Sequence, residues 1–205
     1  VKLIVGLGNP GALYQDTRHN AGKRLIEYVA HHERLSFAKK KTFQASTTLS
    51  FPWEGNAVAL AYPEVFMNLS GNAVLALVEH FAVDWKKNLL VVVDDIALPF
   101  GRLRLRPGGS DGGHNGLKSV HEALGSTDYP RLRLGIGNPS SFKNLRKTGL
   151  KTARDLEEYV LSSFNAEEKK SLPLFLDKGL RACRLWATVP IERAMNAINP
   201  EPARS

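Results

Sequence analysis

Two rhythms of hydrophobic positions run along this chain, and together they predict alternating strands and helices. Leu3-Ile4-Val5 is an apolar run stopped by Gly6-Leu7-Gly8-Asn9-Pro10-Gly11, the pattern of a buried strand entering a turn. From Asn20 onward Ala21, Leu25, Ile26 and Val29 recur at helical spacing, so His19 stands where a helix begins. Residues 42–49 and 57–62 read as strands separated by a turn at 52–56, with Lys39-Lys40-Lys41 as a charged turn before them. Val74, Leu77, Val78 and Phe81 trace the inner face of a second helix. Residues 89–93 form a nearly unbroken run of Leu and Val, the signature of a central strand covered on both faces, and Asp94-Asp95 closes it.

Further along, residues 101–106 alternate, with Arg102, Arg104 and Arg106 on one strand face and Leu103 and Leu105 on the other. Residues 108–116 read as a mobile glycine loop ending at a helix start, and Leu117, Val120 and Leu124 give that helix its inner face. Residues 131–137 predict another strand with a basic alternating face, 138–151 a polar basic loop, and 152–164 a helix. Asn165 with Glu168 three residues later spells a capping box that opens a last long helix, in which Pro173 sits in the first turns or makes a kink. The alternation predicts an α/β fold: one domain over 1–198, a twisted, mixed and largely parallel sheet flanked by helices, then a frayed tail at 199–205.

Composition narrows the function classes. A chain of 205 residues, 43% hydrophobic and 23% charged, with no linker-like stretch, suits one soluble globular core. No apolar run approaches a membrane span, and the start lacks a basic segment followed by a signal-peptide core. The single cysteine, Cys183, excludes an internal disulfide and fits a reducing compartment. A formal charge of +8 favours a polyanionic partner, nucleic acid first. Arginines repeated on strand faces strengthen that expectation, because such a face must meet solvent or phosphate.

Short catalytic patterns fare less well. Gly6, Gly8 and Gly11 match G-x-G-x-x-G, but Pro10 delays the helix and Glu27 lies in the helix rather than closing a second strand, so a nucleotide cofactor is not expected. Gly108, Ser110 and Gly112 match G-x-S-x-G, yet Arg-Leu-Arg-Pro is not the apolar strand a nucleophile elbow needs, and only His121 follows as a partner. His31, His32, His80 and His121 have no zinc-site spacing, so no metal is expected. What remains is a set of polar residues at strand ends and helix starts: Asn9, His19, Asn68, Asp94, His114 and Asn115. A parallel or mixed sheet gathers such positions at one rim. A histidine, a carboxylate to orient it and several neutral amides compose a hydrolytic site in which water is the nucleophile.

The same residues carry a resemblance. Residues 2–11, Tyr14 with Thr17-Arg18-His19-Asn20, Phe66-Met67-Asn68-Leu69-Ser70-Gly71, Asp94-Asp95 with Leu98-Pro99, Gly112-Gly113-His114-Asn115-Gly116-Leu117-Lys118 and Arg131-Leu132-Arg133 resemble the bacterial-type peptidyl-tRNA hydrolases in order and spacing. The resemblance implies a monomeric, cofactor-free cytoplasmic enzyme that hydrolyses the ester between a peptide and the 3′ ribose of tRNA, with peptidyl-tRNA as partner and substrate. It implies His19 as base, Asp94 as its orienting partner, and Asn9 as a catalytic-site group that favours N-blocked substrates. Tyr14, Phe66, Asn68 and Asn115 would line the substrate groove with His114 beside them, and Arg104, Arg106 and Arg133 would face tRNA phosphate. The sequence departs from the family pattern at Tyr62, Val65 and Ala97, where lysine, threonine and an acidic residue are usual. An RNA-binding relative without chemistry is the competing class; it would need the arginines but not His19 and Asp94.

Overall fold

The Leu-Val run at 89–93 is the middle of a sheet. In the computed structural model, which describes residues 1–137 and 153–200, it belongs to β6 (Leu89–Asp95), paired in parallel on one side with β1 (Lys2–Gly6) and on the other with β8 (Arg131–Gly135). Among the described residues the sheet has eight strands in the order β2-β3-β5-β1-β6-β8-β7, with β4 also paired to β5. The remaining strands are β2 (Ala38–Lys40), β3 (Ala45–Thr47), β4 (Phe51–Trp53), β5 (Asn56–Pro63) and β7 (Leu103–Arg106). The sheet is mixed, as expected, but only its central part is parallel. β5, β1, β6 and β8 run together, whereas the pairings of β2 with β3, β3 with β5, β4 with β5 and β7 with β8 are antiparallel.

Alternation along the strands builds a core on each face. Leu3, Val5, Leu89, Val91 and Val93 pack with α2 (Ser70–His80) and α4 (Asn115–Leu124) through Val74, Leu77, Leu117 and Val120. Ile4, Leu90, Val92, Leu132 and Leu134 face the other way, onto α1 (Ala21–His32), α6 (Ala166–Thr188) and α7 (Ile191–Ile198), through Leu25, Ile26, Val29, Cys183, Trp186 and Ala194. Helix α1 lies directly on the sheet because two glycines meet there: a Cβ on Gly22 would stand 2.3 Å from the Val92 carbonyl oxygen, and one on Gly6 would stand 2.3 Å from that of Gly22. This close seat brings the start of α1 against the carboxyl ends of β1 and β6. Helices α3 (Trp85–Asn88) and α5 (Ala153–Val160) complete the described set.

Several boundaries differ from the sequence reading, each for a physical reason. The charged turn at Lys39–Lys41 is partly edge strand β2, and the turn at 52–56 contains β4, in which Pro52 pairs with Ala57. Short edge strands tolerate Lys and Pro because one side of their backbone meets no neighbour. The strand read at 42–49 shrinks to β3, since Lys41–Phe43 form a 3₁₀ turn. The last long helix is two helices, α6 with its Asn165–Glu168 capping box and α7 capped by Pro190; Pro173 lies inside α6. The tail expected from 199 starts with an anchored residue. Asn199 Oδ1 accepts from the Leu105 N–H and its Nδ2 donates to the Leu105 carbonyl, so one side-chain amide pairs with the free edge of β7. The basic loop expected at 138–151 and residues 201–205 lie outside the described residues.

Candidate active site

Four of the expected residues come together where the carboxyl ends of β1 and β6 meet the starts of α1 and α4. Asp94 is the sixth residue of β6 and is 4% exposed, since the strand beneath it is wholly apolar. His19 is the middle residue of a 3₁₀ turn, Arg18–Asn20, that runs directly into α1. His114 is the N-cap of α4. Asn9 lies in the loop after β1 and is 7% exposed.

Asp94 is gripped by both imidazoles. His19 Nδ1 stands 3.0 Å from Asp94 Oδ1 and 3.1 Å from Oδ2, and His114 Nε2 stands 3.0 Å from Oδ1. The two rings lie 4.9 Å apart, centroid to centroid. Their tautomers follow from their partners. His114 Nδ1 accepts the backbone N–H groups of Gly116 (3.1 Å) and Leu117 (3.2 Å), so the ring proton is on Nε2 and donates to Asp94. His19 donates Nδ1–H to Asp94, which leaves its Nε2 lone pair with no protein partner among the described residues. Burial disfavours an ionised Asp94, but the facing histidines and their donated hydrogen bonds outweigh it and hold the carboxyl well below the usual carboxylate range. For His19 burial also opposes charge, and the carboxylate and its hydrogen bond win, so the imidazole is raised above its ordinary value.

Ligand-capable atoms of His19, Asp94 and His114 all lie within 4.8 Å of one another, which invites a metal reading. The proton count on His114 opposes it. With Nδ1 already accepting two N–H groups, a cation on Nε2 would demand an imidazolate or the loss of the helix cap. The arrangement suits a hydrogen-bonded relay.

Asn9 is held through its backbone by the Asn20 side chain and through its own side chain by the Met67 backbone. Its N–H donates to Asn20 Oδ1 at 2.8 Å, its carbonyl accepts from Asn20 Nδ2 at 2.9 Å, and its own Oδ1 accepts the Met67 N–H at 2.8 Å. Among the described residues that leaves the Asn9 side-chain NH₂ as the uncommitted end. Asn20 and the Met67 backbone are therefore part of the site. The sequence reading gave neither a role, although their places in the His19-Asn20 and Met67-Asn68 runs were the signal. Asn68 and Asn115 are exposed and line a cleft of about 180 Å³ with Lys118, Ser119 and Glu122. Tyr14 meets Phe66 edge-on at 6.2 Å, and Phe66 is 53% exposed, a large apolar ring offered to solvent. The Lys23 ammonium lies 4.4 Å over the ring of Tyr62.

The arginines divide. Cross-strand pairing sets Arg104 beside Arg133 and Arg106 beside Arg131 on one face of β7 and β8. Arg106 is exposed and Arg104 half-buried, while Arg133 donates to Asp95 Oδ2 (3.2 Å) and the Ser110 carbonyl (2.8 Å). Arg131 does not belong to an open basic face. It is 0% exposed, and its guanidinium donates to the carbonyls of Gly109 (2.6 Å), Ser110 (3.2 Å), Thr127 (2.6 Å) and Tyr129 (3.3 Å) and meets His121 Nε2 at 3.2 Å. The glycine loop expected to be mobile is thus fastened from beneath by Arg131 and from the side by Arg133. Ser110 has no strand running into it, β7 having ended at Arg106, and His121 is spent on Arg131; neither makes a nucleophile elbow.

Comparison with known proteins gives the site its family. The peptidyl-tRNA hydrolase family model matches residues 3–205. The chain belongs to the peptidyl-tRNA hydrolase family. A peptidyl-tRNA hydrolase of Desulfitobacterium hafniense (strain Y51) is 44% identical over 199 residues, covering 97% of this chain and 100% of that protein. One from Chloroflexus aggregans is 42% identical over 198 residues, covering 97% of this chain and 98% of the relative. The crystal structure of peptidyl-tRNA hydrolase from Acinetobacter baumannii superimposes with a TM-score of 0.85 at 30% identity, covering 97% of this chain and 94% of that one. Among the described residues of this peptidyl-tRNA hydrolase family member, no helix is long and apolar enough to cross a membrane.

Proposed function

We propose that this chain hydrolyses the ester that joins a peptide to the 3′ ribose of N-blocked peptidyl-tRNA, recycling tRNA from stalled or aborted translation. The observation that carries the reading is His19 with Nδ1 committed to buried Asp94 and Nε2 uncommitted, in a chain of this family. Nε2 takes a proton from water as the water oxygen attacks the ester carbonyl carbon. Asp94 stabilises the imidazolium that forms. The carbonyl oxygen becomes an oxyanion, for which the Asn9 NH₂ and the amides of Asn68 and Asn115 are the available neutral donors. The bond to the ribose 3′ oxygen then breaks, and the imidazolium returns its proton to that oxygen, releasing a peptide acid and tRNA. Asn9 also serves as the group that favours a blocked over a free amine. Tyr14, Phe66 and His114 border the peptide and 3′ end, and Arg104, Arg106 and Arg133 contact tRNA phosphate. The protein acts as a cytoplasmic monomer without a cofactor.

The test is release of tRNA from N-acetyl-aminoacyl-tRNA, with free aminoacyl-tRNA in parallel and His19→Ala as control. Selective hydrolysis that depends on His19 supports the reading. Tight tRNA binding without hydrolysis in the unmutated protein would sink it in favour of an RNA-binding relative. A monodisperse particle of one chain in sedimentation supports the monomer, and a stable dimer would remove it.

A further inference from the structure

The turn that carries His19 has little support of its own. It is three residues long, and Thr17 before it makes no side-chain cap. On one side Asn20 ties it to the β1 loop through Asn9. At three residues per turn, neighbouring side chains leave a 3₁₀ turn in different directions, so Arg18 reaches elsewhere. It is 4% exposed and runs into a collar built from the end of α5 and the start of α6, more than a hundred residues away in sequence.

The contacts are dense. The Arg18 N–H donates to the Ser162 carbonyl at 3.1 Å, and Thr17 forms a β-bridge with Ser163. Arg18 Nη1 donates to Ser162 Oγ (2.5 Å), the Ser162 carbonyl (3.3 Å) and the Tyr159 carbonyl (3.5 Å). Nη2 donates to Glu168 Oε2 at 2.7 Å, the same oxygen that accepts the Asn165 N–H in the capping box of α6. The guanidinium also lies 4.3 Å over the Tyr159 ring. A planar fork can hold a hydroxyl, two carbonyls and a carboxylate at once, whereas a lysine ammonium is a single point of charge.

We infer that Arg18 is a positioning residue for the base: by locking the His19 turn into the collar of Tyr159, Ser162 and Glu168, it fixes the line from His19 Nδ1–H to Asp94. The inference rests on the reading of His19 as the base. The competing view is a buried ion pair that only staples the two ends of the chain together. The two differ in what Arg18→Lys does, because lysine keeps the charge opposite Glu168 and loses the fork.

The experiment measures single-turnover hydrolysis, KM, thermal melting and the low-field ¹H NMR resonance of the His19 Nδ1–H, assigned by its loss in His19→Ala and its retention in His114→Ser. In Arg18→Lys the rate falls roughly 10- to 100-fold, the size of loss that small misplacements cause. KM stays within about twofold, because substrate binding is not what the fork supplies. The resonance shifts or broadens while the melt stays cooperative. A lower melting temperature with unchanged rate and resonance would overturn the inference and leave a staple. If Arg18→Lys does not fold, Ser162→Ala and Glu168→Ala carry the test, each removing one acceptor of the fork; both must lower the rate and disturb the resonance, and an unchanged rate and resonance in either overturns the inference. If His19→Ala turns over normally, the base assignment falls, and the resonance still decides whether Arg18 sets the His19–Asp94 alignment.

Discussion

Replacing Asp94 by asparagine tests the relay most sharply, because the structure dictates which way the new amide must face. In the native site both imidazoles donate to Oδ1, and His19 also lies 3.1 Å from Oδ2. An asparagine has one acceptor to offer. If its oxygen replaces Oδ1, its NH₂ replaces Oδ2 and meets the His19 Nδ1–H donor to donor. His19 Nδ1, nearly equidistant from the two, then either shares the lone oxygen with His114 or moves its proton to Nε2 and accepts from the NH₂, which abolishes the base. If the amide flips, its NH₂ faces the His114 Nε2–H instead. His114 cannot switch tautomer freely, since a proton on Nδ1 would confront the N–H groups of Gly116 and Leu117. Leaving those two donors unmet costs about 1–3 kcal/mol each. The flipped arrangement is therefore disfavoured by about 2–6 kcal/mol, or roughly 30- to 10⁴-fold in population. Loss of the carboxylate charge beside the imidazolium adds to this, so Asp94→Asn lowers turnover by about 10³- to 10⁴-fold, the scale of a wrong-tautomer histidine.

The assay is single-turnover hydrolysis of N-acetyl-aminoacyl-tRNA in two backgrounds, native and His114→Ser. A serine still accepts N–H groups at the cap of α4 but offers no donor to residue 94 on the carboxylate side. The introduced asparagine can then flip, His19 keeps its Nδ1 proton, and the penalty of Asp94→Asn shrinks by at least about tenfold, a strong non-additivity between touching residues. Equal penalties in the two backgrounds would refute the argument that His114 dictates the orientation.

Other expectations follow from the same geometry. His19→Ala lowers turnover by roughly 10²–10⁴ with tRNA affinity retained; unchanged turnover removes His19 from its role. Because the base must be neutral and its pKa is raised, the acid limb of the kcat/KM–pH profile lies above pH ~6.5 in the native protein and disappears in His19→Ala. On stability the signs oppose: His19 contributes below pH ~6.5 and that contribution is lost as pH rises through its raised value, while Asp94 contributes above pH ~3.9 and loses it as pH falls, which urea titrations at several pH values read directly. Arg106→Ala reduces the magnitude of the slope of log affinity for tRNA against log salt by about 1, and an identical slope places Arg106 away from phosphate. Gly71→Ala sets a Cβ 2.0 Å from the Ser119 carbonyl oxygen, so it forces α2 from α4 and destabilises by about 1–3 kcal/mol in chemical denaturation; native stability would mean the helices slide apart freely.

What the sequence made legible was what rests on long, regular pattern. The run into Asp94, the strand–loop–helix around His19 and the capping box at Asn165 all follow from apolar periodicity and cap chemistry, and in the structure His19 and Asp94 meet at the ends of those elements. Edge strands were misread because Lys39, Lys40 and Pro52 are residues that turns and sheet edges share. The buried Arg131 was unreadable for a different reason. Period-two alternation puts it on the face of Arg133, and nothing local announces that four loop carbonyls converge on that face to receive it. His114 was placed at a helix start and beside the groove but not as the donor to Asp94, since helix caps are ordinarily Ser, Thr, Asp or Asn and an imidazole carries no signal of accepting there.

That cap is also what makes the site directional. Among the described residues the polar groups around Asp94 are each tied to protein in a fixed direction, and His19 and Asn9 each keep one end free. Asn9 commits Oδ1 to the Met67 N–H and keeps its NH₂. His114 commits Nδ1 to the first turn of α4 and must therefore give its only proton to Asp94. Asp94, receiving from both rings, has no reason to take a proton itself. His19 commits Nδ1 and keeps Nε2. Two histidines on one carboxylate would otherwise be interchangeable, each able to act as base. Backbone donors break that symmetry, and they do so before any substrate arrives, so under the proposed role of His19 the orientation for proton transfer would cost nothing at the moment of reaction.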